Sequence, residues 1–314
     1  MLQGPDGKFL IEDYTFNYLS ASRDILEFNR KDQSANSALL MGDPDFGFQS
    51  GKKPKADDSE DIAKNQYQRS VDLNELNLGP LKYAKEEIEE IALVIGKGKS
   101  GLFTGKDATE ERLLNSKAPR ILHLATHGFF LQDQDISKDF KNTNRGWDMK
   151  PGSSGETSSA DRINRQISIE SPLLRSGILL AGAVSSIRSG GVQKEDGIVT
   201  AEKILGLNLH GTEMVVLSAC DTGLGEVKAG EGVFGLRRAF SQAGAKSVVM
   251  SMWKVPDSET KEMMIQFYKN IYGSKMNRCQ ALREAALNQM KIVKGRYGYA
   301  NPLYWGGFVF VGEP

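Results

Sequence analysis

Val215-Val-Leu-Ser-Ala-Cys220-Asp-Thr-Gly223 is an apolar run of strand length that stops at a cysteine and a tight turn. Ile121-Leu-His-Leu-Ala-Thr-His127-Gly128 is a second such run, and it stops at a histidine and a glycine. Neither alternates cleanly between apolar and polar residues, so each predicts a strand covered on both faces, as in a parallel sheet between helices. In an open parallel sheet the carboxyl ends of the strands border one crevice. Two such strands ending in His127 and Cys220 can therefore bring an imidazole to a thiol, although 93 residues of chain separate the two positions.

Working outward, Arg120–Thr126, Gly177–Gly182, Met214–Ala219 and Lys246–Met252 all read as buried parallel strands. Helical spacing is found at Ala84–Ile95, where Ile88, Ile91, Ala92 and Ile95 share a face, and at Ala108–Leu114 after Asp107. Further helices are predicted at Thr200–Leu207, Val233–Ala243, Ser258–Tyr272 and Arg278–Val293. Short strands are predicted at Phe9–Ile11, Tyr14–Leu19, Ser37–Gly42, Gly101–Thr104 and Tyr304–Val311. Strands and helices alternate through most of the chain, which predicts an α/β fold with a mainly parallel central sheet and covering helices.

The 40 basic and 40 acidic side chains cancel, so there is no global field to hold nucleic acid or an anionic membrane, and neither is expected as a partner. The longest apolar stretch, near Gly177–Val184, falls short of the roughly 20 residues that cross a bilayer, and the first residues lack the basic start and apolar run of a secretory signal. Two cysteines in different contexts do not make a disulfide framework. A reducing cytoplasm is the expected location, because a thiol nucleophile must stay unoxidised.

A thiol of pKa about 8.5 is mostly protonated near neutrality and needs a basic partner to attack a carbonyl. His127 is suited to that role for Cys220. Gly128, without a side chain, lets its N–H approach a substrate oxygen, and the Cys220 N–H supplies a second donor, a pairing suited to an oxyanion hole. The plain alternative is a small buried cysteine at a strand end. Gly230-Glu-Gly232-Val-Phe-Gly235 matches a dinucleotide fingerprint, with Asp257 about twenty residues on, but Cys220–Ala229 intervene between strand and motif. Those glycines read instead as tight turns and close helix packing. A zinc site of His123, His127 and Cys220 lacks metal-ligand spacing, so neither metal nor cofactor is expected. His123 reads as a hydrogen-bonded core residue, and Cys279 and His210 as structural.

Several motifs in register sharpen this. His123-Leu-Ala-Thr-His-Gly128, Ser171-Pro-Leu-Leu-Arg-Ser-Gly177, Leu217-Ser-Ala-Cys-Asp-Thr-Gly223, the run Gly230–Phe240, Ser251-Met-Trp-Lys-Val-Pro-Asp257 and Pro302-Leu-Tyr-Trp-Gly-Gly-Phe308 resemble the CHAT family. These are caspase-like domains related to caspases and separases and often fused to tetratricopeptide repeats. Gly42-Asp-Pro-Asp45 and Ala84-Lys-Glu-Glu87 extend the likeness over nearly the whole chain. The resemblance implies a caspase-like three-layer sandwich, with residues 1–115 as an N-terminal companion lobe and 116–314 as the catalytic lobe. It implies a cysteine endopeptidase acting on a protein or peptide substrate, a regulated signalling or defence protease of the prokaryotic kind, with a tetratricopeptide-repeat region as regulatory partner. The roles carried over are His127 and Cys220 as the catalytic pair and Gly128 and Cys220 as oxyanion donors. Ser218, Asp221, Trp253 and Asp257 are candidates for the substrate pocket, and Glu231 joins Asp221 as an acid beside the nucleophile loop. Ser218 stands where well-known caspases carry a glutamine or an acid, which leaves the residue preferred at the cleaved bond open. A catalytically silent scaffold of the same fold that only binds partners is the alternative, with a dinucleotide-binding enzyme behind it. The segment Leu131–Glu170, polar and carrying Lys138, Lys141, Arg145, Lys150, Arg162 and Arg165, follows the His-Gly pair directly and reads either as a lid or as a tolerated surface insertion.

Overall fold

The computed structural model describes residues 3–29, 37–49, 81–130, 172–189, 195–218, 220–221 and 231–314, and for 220, 221 and 231–234 it describes the main chain alone. The segment 131–170, with its two readings, and the turn 222–230 lie outside the described residues. In chain order the described strands are β1 (Ala38–Pro44), β2 (Ser100–Gly105), β3 (Ile121–Ala125), β4 (His127–Phe130), β5 (Ser176–Leu179), β6 (Ile198–Thr200), β7 (Met214–Leu217), β8 (Cys220–Asp221), β9 (Ser247–Ser251) and β10 (Phe308–Gly312). The described helices are α1 (Leu10–Asp13), α2 (Ala84–Ile95), α3 (Glu110–Leu114), α4 (Ala183–Ser189), α5 (Ala201–Leu205), α6 (Glu231–Gln242), α7 (Asp257–Tyr272) and α8 (Arg278–Tyr297).

Six strands form the central sheet in the order β10-β9-β7-β3-β1-β2, parallel throughout except for β10, which runs antiparallel to β9. Each central strand divides its residues between two cores. Ile121, Ala125, Met214, Val216 and Val249 pack with Ile88 and Ile91 of α2, Met264 and Phe267 of α7, and Leu282 and Ala285 of α8. Leu122, Leu124, Val215, Leu217 and Val248 pack on the other side with Leu113 of α3, Ile204 of α5 and Leu236 and Phe240 of α6. Both faces are dry, which explains why these strands read as unbroken apolar runs. The result is a helix–sheet–helix sandwich of caspase-like architecture.

A smaller sheet, order β6-β5-β4-β8, stands at one end of the larger one. The expectation for Gly177–Gly182 is corrected here: Ser176–Leu179 lies in this second sheet, antiparallel to both β4 and β6. Gly177 is required at its centre, since an added Cβ would lie 2.6 Å from the Phe129 ring and 2.6 Å from the Val199 carbonyl oxygen. The expected strand Phe9–Ile11 is also replaced, by the one-turn helix α1. Glu12 closes that turn by accepting the Phe9 N–H at 2.9 Å, and Arg283 of α8 holds the Ile11 and Glu12 carbonyls. Of the expected strand Tyr14–Leu19 a single bridge forms, Tyr18 to Val311 on the open edge of β10.

A buried polar trio crosses the first core. His123, fully buried on β3, accepts or donates at both ring nitrogens, 2.9 Å from Glu87 of α2 and 3.1 Å from the Tyr268 hydroxyl of α7. Burial pushes the Tyr268 phenol well above its usual range, so it remains a neutral donor. The consistent assignment is Tyr268 O–H to Nδ1 and Nε2–H to the Glu87 carboxylate, which leaves every buried polar atom of the trio paired. Tyr268→Phe keeps the ring and strands Nδ1, so urea unfolding should show a loss of about 1–3 kcal/mol; no loss would mean that the trio is not a structural tie.

Candidate active site

The site is built by one register. β3 and β7 pair from Ile121 with Met214 to Leu124 with Leu217, and the Ser218 N–H then donates to the Leu124 carbonyl at 3.0 Å. Both chains leave the large sheet after this point and pair again in the small one, His127 with Cys220 and Gly128 with Asp221. Ile121 and Met214 are 93 positions apart, and so are His127 and Cys220, so no residue is gained or lost in the transition. Thr126 sits at the step from β3 to β4, and its hydroxyl donates to the Leu179 carbonyl of β5. The main chains of the two residues expected to react are thus ladder partners.

His127 is buried, with 4% of its surface exposed. The Phe46 ring packs on its imidazole at 5.3 Å between centroids, tilted by 34°. Phe46 follows β1, and β1 is the strand at which the sheet order reverses: the chain passes from β1 to β2 on one side and then to β3 on the other. Crevices of parallel sheets open at such a switch point, beyond the carboxyl ends of the strands. Three acids approach the same end. Burial pushes the Asp43 carboxyl above its usual range, with Asp257 and Asp45 adding to the rise and Lys85 opposing it.

The other expected residues fall in different places. Ser218 is buried at the end of β7, and its hydroxyl has no hydrogen-bond partner among the described residues. Asp221 pairs with Gly128 along the main chain. Trp253 lies past the carboxyl end of β9, where its indole N–H donates to the Leu303 carbonyl at 3.2 Å. Asp257 opens α7, and its carboxylate accepts the Tyr83 N–H at the start of α2, 3.0 Å away, so part of its hydrogen-bonding capacity serves helix packing. Glu231 has only its main chain described. With both nitrogens of His123 engaged, His123 cannot join His127 and Cys220 around a metal. Of the glycines in the dinucleotide-like run, Gly230 lies outside the described residues and Gly235 brings α6 onto β5: an added Cβ would stand 3.1 Å from the Ser176 hydroxyl. Cys279 is buried in α8, its thiol 3.3 Å from the Phe16 carbonyl, and burial pushes its pKa up. Sequence reasoning passed over Phe46; the signal available was its position directly after the turn Asp43-Pro-Asp45 at the end of a predicted strand.

The family model for the CHAT domain matches residues 1–313. The chain belongs to the CHAT family. Tetratricopeptide repeat protein 28 of Homo sapiens is 34% identical over 116 residues, and its Mus musculus counterpart is 33% identical over a stretch of the same length. Each match covers 37% of this chain and 4% of the relative, so this CHAT chain corresponds to a small part of those much longer proteins. No helix among the described residues is long and apolar enough to cross a membrane.

The small sheet of this CHAT domain is tied down by Glu110 at the start of α3. One carboxylate oxygen accepts the Gly197 N–H, just before β6, at 3.0 Å, and the other takes the Lys203 ammonium of α5 at 2.6 Å. Lys203 also reaches Asp196 at 2.9 Å. Burial pushes the Glu110 carboxyl up to about 7, with Lys203 opposing the rise and Asp196 adding to it. A carboxyl whose folded pKa lies above its unfolded one binds its proton more tightly when folded, so its contribution to stability is complete below about pH 4.5 and is lost as pH rises through about 7. Chemical unfolding of the wild type and Glu110→Gln should therefore differ in slope between about pH 5 and pH 7, the wild type losing stability that the glutamine variant keeps. Parallel curves would show that Glu110 does not titrate in this window.

Proposed function

We propose that this CHAT domain is a cysteine endopeptidase in which Cys220 is the nucleophile and His127 its base. The observation that carries the reading is the ladder pairing of these two residues beyond the carboxyl ends of adjacent parallel strands. Cross-strand partners are the nearest neighbours that two strands possess, and this is the placement that thiol activation by an imidazole needs. The peptide carbonyl of the substrate would be attacked by the thiolate, and the charge that develops on its oxygen would meet the N–H groups of Gly128 and Cys220. His127 would then return the proton to the departing amine, and water would release the acyl group from sulfur.

Several features support a protein or peptide substrate. Asp43, Asp45 and Phe46 lie at the carboxyl end of β1, where Phe46 meets His127, and acids beside an aromatic ring suit the side chains of a peptide better than a phosphate-bearing cofactor. Ser218 and Asp221 follow the end of β7 and Trp253 and Asp257 follow the end of β9, and these four are the candidates for the substrate pocket. The match to tetratricopeptide repeat proteins supports regulation by a repeat region of the same or another chain. A thiol mechanism suits a reducing compartment such as the cytoplasm.

Cys220→Ala and His127→Ala should each lower kcat/KM on a library-selected peptide by about a hundredfold or more. A peptidyl acyloxymethyl ketone should label Cys220 and spare Cys279, whose pKa burial raises. Full turnover in either variant would overturn the mechanism. A wild type that cleaves no library peptide and leaves Cys220 unlabelled would favour the silent scaffold.

A further inference from the structure

We propose that Phe46 is a positioning residue, the aromatic wall that fixes the plane of the His127 imidazole and shields one of its faces from water; the inference rests on the cysteine-peptidase reading above.

The turn that carries Phe46 is built with more hydrogen bonds than a surface connection needs. β1 ends irregularly, with a register shift between Gly42 and Pro44, and Asp43 adopts a left-handed conformation with φ of 48°. A non-glycine residue pays for that conformation and keeps it only where its surroundings hold it there. Asp45 then organises the turn: its N–H bonds the Gly105 carbonyl at 3.0 Å, its carboxylate accepts the Gly47 N–H at 3.1 Å, and its own carbonyl accepts Phe48 at 3.1 Å and Gly182 at 3.0 Å. α4 secures the far side. The Phe46 carbonyl accepts the Val184 N–H at 2.9 Å and that of Ser185 at 3.4 Å, and the Ser185 hydroxyl donates to the Gly47 carbonyl at 2.7 Å.

This frame aims the Phe46 side chain toward the small sheet. Phe46 packs on a small core of Phe129, Leu179, Ala183, Ile187 and Ile198, and the other side of its environment is the His127 ring. Phe129 and Leu179 belong to β4 and β5, the strands that carry and flank His127, so the wall and the imidazole are referenced to the same sheet. Burying a phenylalanine in that core does not require contact with the histidine; the tilted ring contact at 5.3 Å is an additional consequence of where the turn is pinned. A histidine ring rotates about its terminal torsion in a broad well, and a flat neighbour narrows that well. An imidazole held in one plane keeps its nitrogen on the line to its reaction partner, which is the effect that positioning contributes to rate.

The test uses the intact chain and iodoacetamide, which needs no knowledge of the substrate. Alkylation of Cys220 is followed at neutral pH by peptide mapping in the wild type, Phe46→Leu, Phe46→Tyr and His127→Ala, alongside each melting temperature. Phe46→Leu keeps most of the apolar volume and removes the flat face; it should slow alkylation about tenfold, toward the rate of His127→Ala, because a thiol without an oriented imidazole is less ionised. Phe46→Tyr should restore the wild-type rate. With three histidines in the chain, the His127 ring signal is assignable by its loss in His127→Ala, and in the folded wild type it should show a nuclear Overhauser contact to the Phe46 ring. A Phe46→Leu variant that alkylates at the wild-type rate, or the absence of that contact, overturns the inference. If His127→Ala itself alkylates at the wild-type rate, the Cys–His reading falls and takes this inference with it, whereas slowing in His127→Ala alone leaves the reading standing without Phe46.

Discussion

The pairing of β3 with β7 in a single register is the constraint on which the rest of the molecule depends. It is enforced by the core, because both faces of both strands are buried and side chains alternate between them. A slip by one residue would carry Ile121, His123 and Ala125 from one helical layer to the other and expose every mismatch at once. His123 makes that slip more costly still, since it would leave Glu87 and Tyr268 buried without their partner. Because the same spacing continues through Thr126 into the small sheet, the packing of the hydrophobic layers also decides which residue stands opposite His127.

In the proposed mechanism, two histidines four positions apart on one chain segment are put to opposite uses. His123 lies within the sheet, where neighbouring helices surround it and both nitrogens are spent on structure. His127 lies beyond the carboxyl end of β3, where the chain has left the large sheet, and its ring meets Phe46 from the turn after β1. The difference comes from position along the strand rather than from residue type. With the catalytic role proposed for His127, stability and chemistry share one rigid element, a division familiar in parallel sheets, where loops at the carboxyl ends collect reactive groups.

Much of this was legible in the sequence, for physical reasons that differ between elements. β3, β7 and β9 are buried on both faces and so announce themselves as apolar runs, and α2 shows its amphipathic spacing from Ala84 to Ile95. The small sheet was not legible. β6 and β8 have three and two residues, too few for any period to register, and β5 reads like the parallel strands of the large sheet because it too is buried, although it runs antiparallel to both its neighbours. The turn of α1 depends on Glu12 and on an arginine 272 positions from Ile11, and no local pattern reports such a contact. The candidate pair His127 and Cys220 could be read because strand ends and punctuation by glycine are local signals. Phe46 was marked only by its place after the turn Asp43-Pro-Asp45, since its meaning comes from a neighbour 81 positions away and from the order of strands in the sheet.

The central claim is that the register of the large sheet sets the main chains of residues 127 and 220 side by side, and a crosslink tests it most directly. In His127→Cys, oxidation with diamide should join the introduced thiol to Cys220, because ladder partners stand roughly 5 Å apart at Cα, within the range that a disulfide spans. Peptide mapping of the oxidised protein should then recover the two strand segments as one disulfide-linked pair, lost on reduction, with Cys279 remaining free. Oxidation that leaves these two thiols unlinked in a folded protein would contradict the register, and with it the account of the site.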